Sequence, residues 1–291
     1  MPPEAPPENY EDLIRLIHER HDGMSKSYQS IGEYLTQNPN DVAVLPVSAI
    51  ASSCGIHASS FVRFAQSIGY TGFKDLQALF QRRLLTTAPG FEARKDALRS
   101  ELSIRGENSD SGFLSELVVR DIASLQDLLE SADSDDIMKA GKMIAKAGTI
   151  YLAGQLRSEP IANLLRYILT MLGKRTVLLD ASGGLATHMA RTMEEGDVLI
   201  AVSFRFYANE VVNIVEHASK SGMGTIAITD STLSPLKKPA SILFSVPEHG
   251  YTFSRSLAAP ICLAQALMMT VASLVQSNPQ DPRIPTVTDI R

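Results

Sequence analysis

The residues best placed for chemistry fall into two sets. In the first, Ser59, Ser60 and Arg63 share one arc of a helix that starts just after Gly55, while Phe61, Val62, Phe64 and Ile68 supply its buried stripe. Short hydroxyls let another backbone come close, and a forked guanidinium grips a guanine edge or a phosphate. Such an arc suits contact with a DNA groove. Gly55 sits where a turn between two helices needs positive φ, Ala51 is small where they cross, and Ile56 plugs the junction. The same spacing also fits a plain helical bundle in which Gly55 is only a loop glycine. In the second set, Arg157 and Ser158 follow one apolar run, and Ser203, Arg205 and Glu210 follow another. A serine at a helix start, outward amide groups and an adjacent arginine make an anion site.

Other groupings are weaker. His18 and His21 have the spacing of a metal pair but no third ligand nearby, so a solvated helix face explains them as well. Ser182-Gly183-Gly184 reads as a tight turn. His188 and His217 fall on helices, where surface histidines are the rule, and Glu248-His249 follows the fifth strand, where a loop could close over a ligand. No G-x-G-x-x-G follows a strand and no P-loop is present, so nucleotide cofactors are not implied and no cofactor is expected. Cys54 and Cys262 lack ligand-like or framework spacing, which fits a reducing cytoplasm.

These residues must be positioned by two different architectures. Residues 10–86 carry apolar stripes at helical spacing, with Asn9 and Ser25 as caps and Asn38-Pro39, Gly55 and Gly69 as stops, and form an all-α unit. Residues 1–9 are a Pro-rich tail expected to be disordered, and residues 87–112 are polar and turn-rich, a linker. Two amphipathic helices are expected between Phe113 and Ala147. Then Thr149–Ala153, Thr176–Leu179, Val198–Val202, Thr225–Ile228 and Ile242–Val246 form five short β-rich runs with helical stretches between most of them. That alternation predicts a doubly wound, flavodoxin-like α/β domain with a five-stranded parallel sheet over residues 113–278, before a tail at 279–291. The last helix, near Ser256–Gln276, is apolar nearly all round and belongs in a core or a subunit interface.

At 291 residues the chain is long enough for two domains, and 44% apolar with 20% charged residues is ordinary globular composition. No run reaches the length that spans a bilayer and no signal peptide is expected, so no membrane partner is predicted. A net charge of −5 argues against nonspecific coating of nucleic acid. Locally the balance reverses: residues 25–85 hold Lys26, Arg63, Lys74, Arg82 and Arg83 against Glu33, Asp41 and Asp75. The excess is mild, so dimerisation is expected to supply part of any DNA affinity.

The run from Met24 to Pro39, then Val47-Ser48-Ala49-Ile50-Ala51, Val62–Tyr70 and Gly72-Phe73, resembles the opening of the RpiR/MurR-type bacterial transcription regulators. Ile68-Gly69-Tyr70-Thr71-Gly72-Phe73 is similar to that family's LGF-x-GF signature. Thr229–Leu236 resembles its TDS-x-x-SPL segment, whose expected work is to shape the turn after strand four. The resemblance implies a helix-turn-helix joined to a sugar isomerase (SIS) domain. His57 stands where the family has a capping serine. Histidine caps poorly, so His57 is placed to contact phosphate, and Lys74 joins it as a DNA-binding candidate. Phosphosugar-binding SIS domains have Ser-x-Ser-Gly-x-Ser/Thr after the third strand. Here Ser203 and Glu210 keep their places, while Arg205, Phe206 and Ala208 replace the second Ser, the Gly and the last Ser/Thr.

The combined expectation is a non-enzymatic regulator of a catabolic operon. It reads a double-stranded operator with His57, Ser59, Ser60, Arg63 and Lys74 as a homodimer or homotetramer. A small anionic metabolite, a phosphosugar or sugar acid, is expected at Arg157, Ser158, Ser203, Arg205 and Glu210, with no catalytic residue and no metal. The alternative is an aldose–ketose phosphosugar isomerase with an appended helical domain, whose general base would be Glu210 or His249. A third is an oligomerisation module tethered to DNA with an empty pocket.

Overall fold

The structure, a computed structural model, describes residues 6–84, 99, 113–246 and 255–276. The expected linker at 87–112 lies outside the described residues except for Arg99. The tail at 279–291 and the Glu248-His249 loop lie wholly outside them. Two compact units form, one at each end of the chain.

In the first unit, α1 (Tyr10–Arg20) starts at Asn9, whose side chain accepts from the Asp12 N–H at 2.8 Å. Residues 7 and 8 of the expected tail are tied down: Pro7 O accepts from the Tyr70 hydroxyl at 2.7 Å and Glu8 O from Arg82 at 3.2 Å. Ser25 caps α2 (Lys26–Gln37) by accepting from the Tyr28 N–H. Gly32 lies where α2 crosses α1, and a Cβ there would stand 3.0 Å from Ile17 Cγ2. Asn38-Pro39 ends α2 as expected but also begins a helix the pattern did not show, α3 (Pro39–Val44). Proline is favoured at a first helical position because that N–H has no partner within the helix. The last carbonyls of so short a helix need partners. Gln77 donates to Val42 O and Leu45 O at 2.8 and 2.9 Å, and Gln81 to Ala43 O at 3.2 Å, both from α6 (Phe73–Leu84).

Between them lie α4 (Val47–Cys54) and α5 (Ala58–Ser67). Gly55 takes φ +65°, and the Gly55 and Ile56 N–H groups close back on Ser52 O and Ala51 O at 3.3 and 3.0 Å, a Schellman end. Phe61, Phe64, Ala65 and Ile68 are buried, and edge-to-face ring pairs Tyr28–Phe64 and Phe61–Phe73 lock α5 against α2 and α6. Val62, expected in the buried stripe, is only half-buried. On a 3.6-residue helix it falls outside the arc shared by Phe61, Phe64 and Ile68, and Ala65 takes that place.

In the second unit, α7 (Phe113–Ser131) and α8 (Ser134–Lys146) precede the sheet. The strands are β1 (Ile150–Gly154), β2 (Thr176–Leu178), β3 (Val198–Val202), β4 (Gly224–Thr229) and β5 (Ile242–Ser245). Among the described residues they form one sheet in the order β2-β1-β3-β4-β5, parallel throughout, with Ile150 beside Thr176 and Val198. The crossover helices α9 (Glu159–Met171), α10 (Ala186–Ala190) and α11 (Asn209–Lys220) and the final α12 (Ala258–Gln276) cover both faces. Ile161, Leu165, Leu263 and Leu267 pack with Leu152 and Ile200 on one face; Ala186, Val211 and Val215 pack with Ala153 and Ala201 on the other. Helices on both faces make the inner strands buried apolar runs. α12 is long and apolar enough to cross a membrane by length and composition, yet Leu263, Ala264, Leu267, Met268 and Val271 are buried in the core.

Candidate functional site

In the helical unit α5 presents its outer arc to solvent. Arg63, Ser59 and His57 are exposed, as is Lys74 at the start of α6, while Ser60 is half-buried at the edge of the core stripe. The outer arc is continued by Gln66, one turn beyond Arg63, which the sequence reading passed over. His57 occupies the N-cap position of α5 with extended backbone and no side-chain cap bond, so its ring is not used up in capping. The local basic excess is smaller at the surface than in the sequence. Arg83 is buried, its guanidinium 4.9 Å from the Tyr10 ring and donating to Asn40 Oδ1 at 3.2 Å. Of the weaker candidates, His21 has its ring against the Asp22 and Glu33 carboxylates at 3.3 and 3.4 Å, and His188 and His217 are exposed.

In the α/β unit the strand order turns at β1 and β3, so the crevice beyond their carboxyl ends is the place for a ligand. Two sets of contacts join the loops there. Arg157 donates to Ser256 O at 2.8 Å and lays its guanidinium over the Phe204 ring at 4.9 Å. Gln155 donates to Glu210 Oε2 at 2.6 Å, and the Thr187 hydroxyl donates to Glu210 Oε1 at 3.2 Å. Glu210 stands in the first turn of α11, where the helix dipole favours a carboxylate. Ser158 precedes α9 as expected, but it is buried, has helical backbone and makes no side-chain cap bond. Ser203 is also buried, its N–H paired with Ile228 O at 3.0 Å.

The loop after β3 is built around a residue of β4's end. Asp230 accepts from the Arg205 N–H at 3.0 Å and from the Tyr207 hydroxyl at 3.1 Å, and its other oxygen lies 3.6 Å from Arg205 Nε. The Asp230 side chain is fully buried. Burial, then the Asp230 charge, pushes the Tyr207 hydroxyl well above its ordinary range, so it stays a donor. Arg205 was expected to face a ligand; its Nε is directed to this internal carboxylate. Phe206 takes φ +75°, where a side chain is strained, and its ring is buried with the Arg255 guanidinium 5.6 Å from its centroid. The Thr229–Leu236 segment, expected to shape its own turn, thus also holds the neighbouring loop. Asp230, Gln155 and Thr187 were missed because what makes each of them matter is a partner 23 to 55 positions away.

Two family profiles match the chain. One, the helix-turn-helix domain of the rpiR family, covers residues 11–85, and the other, the SIS domain, covers residues 143–274. The chain belongs to the RpiR family. Among its relatives are two uncharacterised HTH-type transcriptional regulators. TTE0211 of Caldanaerobacter subterraneus subsp. tengcongensis is 24% identical over 86% of each chain, and YfhH of Escherichia coli K12 is 25% identical over 91% of this chain and 92% of that one. Of solved structures, the sugar isomerase domain of the RpiR transcription factor from Sphaerobacter thermophilus is 25% identical. It superposes with a TM-score of 0.55 over 57% of this chain and 93% of that one. The Vibrio vulnificus NanR protein complexed with ManNAc-6P is 19% identical, with a TM-score of 0.52 over 92% of this chain and 93% of that one, and shows the same fold. This RpiR-family chain is thus an HTH-type transcriptional regulator with a SIS domain.

Proposed function

We propose that this RpiR-family protein controls a catabolic operon in response to a small anionic metabolite and works as a homo-oligomer in the cytoplasm. The observation that carries the reading is the exposure of Arg63 and Ser59 on α5, opposite the buried Phe61, Phe64 and Ala65. A helix held on one side by aromatic packing and lined on the other with a guanidinium and a hydroxyl is the geometry of a major-groove reader. His57 and Lys74 flank it for phosphate contacts, and two such heads engage half-sites about one duplex turn apart.

The metabolite sits beyond β1 and β3, near Arg157, Ser158, Ser203 and Glu210, with Arg205 shaping the loop. A phosphosugar and a sugar acid are the two classes to compare, the former being what NanR is complexed with. Coupling requires that the metabolite favour one arrangement of the assembly over the other. Against an isomerase, Glu210 is engaged by Gln155 and Thr187 and is tied into the loop contacts.

Two titrations test the reading. The purified protein is expected to bind duplexes from the control regions of adjacent genes with an affinity that falls steeply with salt. A thermal-shift screen of phosphosugars and sugar acids is expected to find a class that raises the melting temperature and shifts that affinity. Turnover of a phosphosugar at enzymatic rates would contradict it.

A further inference from the structure

The loops beyond β1 and β3 keep most of their amides for themselves. A phosphoryl group brings a charge of about −1.5 to −2 at neutral pH and three acceptor oxygens, and what usually meets them is the row of N–H groups in a loop and at a helix start. After β3, the Ser203 N–H goes to Ile228 O and the Arg205 N–H to Asp230, both at 3.0 Å. After β1, the Ser158 N–H closes on Gln155 O at 3.0 Å, the Glu159 N–H closes on Leu156 O, and Pro160 has none to give. Glycine at positive φ is what lets a backbone come close around a phosphate. In these two loops positive φ falls instead on Leu156 (+55°) and Phe206 (+75°), the only non-glycine residues with that geometry among the described residues.

Charge points the same way. Both helices that begin at the crevice already carry a carboxylate in the first turn, Glu159 on α9 and Glu210 on α11, where the helix dipole favours it. Asp230 lies fully buried beneath the β3 loop with Arg205 set against it. A dianion placed there would meet three carboxylates of the protein's own. What the crevice offers suits a smaller charge. Ser158 and Ser203, one from each loop, are only 4 and 3% exposed, and among the described residues neither hydroxyl has a hydrogen-bond partner. Buried hydroxyls are nearly always paired. Beside Ser158 the Arg157 guanidinium is held flat on the Phe204 ring with Ser256 O at one end, and a planar fork matches a planar carboxylate. Glu210, held by Gln155 and Thr187, can accept from hydroxyl groups.

We infer that the metabolite is a sugar acid without a phosphoryl group. Arg157 and the hydroxyls of Ser158 and Ser203 hold its carboxylate, and its own hydroxyls reach Glu210. The inference rests on the proposed reading that a small anion enters this crevice, and it names the class.

The test is calorimetric titration of the full chain, with melting temperature as a second readout. Gluconate, glucuronate and galacturonate form one set of probes; the phosphate esters of gluconate and glucose, with inorganic phosphate, form the other. At least one acid of the first set is expected to bind and raise the melting temperature, and no member of the second to do either at millimolar concentration. Ser158→Ala with Ser203→Ala removes two unpaired hydroxyls and strands no partner, so the unliganded melting temperature is expected to stay near that of wild type while the acid binds roughly tenfold more weakly. Arg157→Lys, which keeps the charge and loses the fork, is expected to weaken it as well. Binding of a phosphate ester or of inorganic phosphate would overturn the inference and leave a metabolite-controlled regulator standing. Binding of no probe from either set would overturn the inference together with the reading that a small anion controls the protein. Binding of an acid that ignores both variants would overturn the inference by putting the acid elsewhere.

Discussion

Asp230 and Arg205 hold each other through backbone and side chain together. The Arg205 N–H donates to one carboxylate oxygen at 3.0 Å while its Nε lies 3.6 Å from the other. The carboxylate is buried and also receives the Tyr207 hydroxyl, so one residue at the end of β4 fixes three groups of the loop after β3. In a turn that would otherwise offer its amides to a bound anion, the anion is supplied by the protein.

Asp230→Ala takes away the carboxylate that the Arg205 N–H and the Tyr207 hydroxyl donate to. Breaking a buried pair from one side costs about 3–5 kcal/mol. Chemical unfolding of the variant is expected to show a loss of that order, concentrated in the α/β unit; a loss below about 1 kcal/mol would mean the loop is held by something else.

Phe206→Gly sets two effects against each other. Glycine relieves the positive φ, a gain of about 1–2 kcal/mol, but deletes a buried ring, whose truncation costs about 3–5 kcal/mol. Packing wins, so the variant is expected to be less stable than wild type. A more stable variant in urea melts would show that the ring is not well packed.

Gly55→Ala isolates the turn of the reading head. No atom lies within 4 Å of the added Cβ, so the cost is conformational alone, at φ +65°. About 1–2 kcal/mol of stability is expected to be lost, and Gly55→Asn is expected to lose less because asparagine tolerates that region. Equal stability of all three proteins would remove the Schellman end as the reason for the glycine.

The two thiols are expected to behave differently. Burial pushes the Cys54 thiol from 9.0 to about 11, whereas Cys262 is exposed on α12. Disulfide reagent at pH 8 should label one thiol of the native protein quickly and the other only on unfolding. Because the folded Cys54 keeps its proton where the unfolded one loses it, its contribution is whole below pH 9 and is lost between pH 9 and 11. Tyr70, raised further by burial, acts in the same direction. Urea midpoints of the helical unit that rise with pH through this window would contradict the assignment.

The fold was legible wherever local chemistry decided it. Asn9, Ser25, Gly55 and Gly69 mark helix ends by rules that act within a few residues, and five continuous apolar runs with helices between them require a parallel sheet. Pro39 misled because the same residue ends one helix and begins the next, and the glutamines that support α3 come from α6. At the candidate site, Arg63 could be read from its offset to Phe61 and Phe64. The Arg205–Asp230 contact could not: it joins the ends of the neighbouring strands β3 and β4 through residues 25 positions apart in sequence.

Arg63→Ala, titrated into promoter duplex by fluorescence anisotropy across a salt series, tests the central claim most directly. The account predicts a loss of about 1–3 kcal/mol in operator affinity, or roughly 5- to 150-fold. The melting curve and the response to the metabolite are expected to be unchanged, since the side chain is exposed. Wild-type affinity in the variant at every salt concentration would contradict the assignment of α5 as the helix that reads DNA.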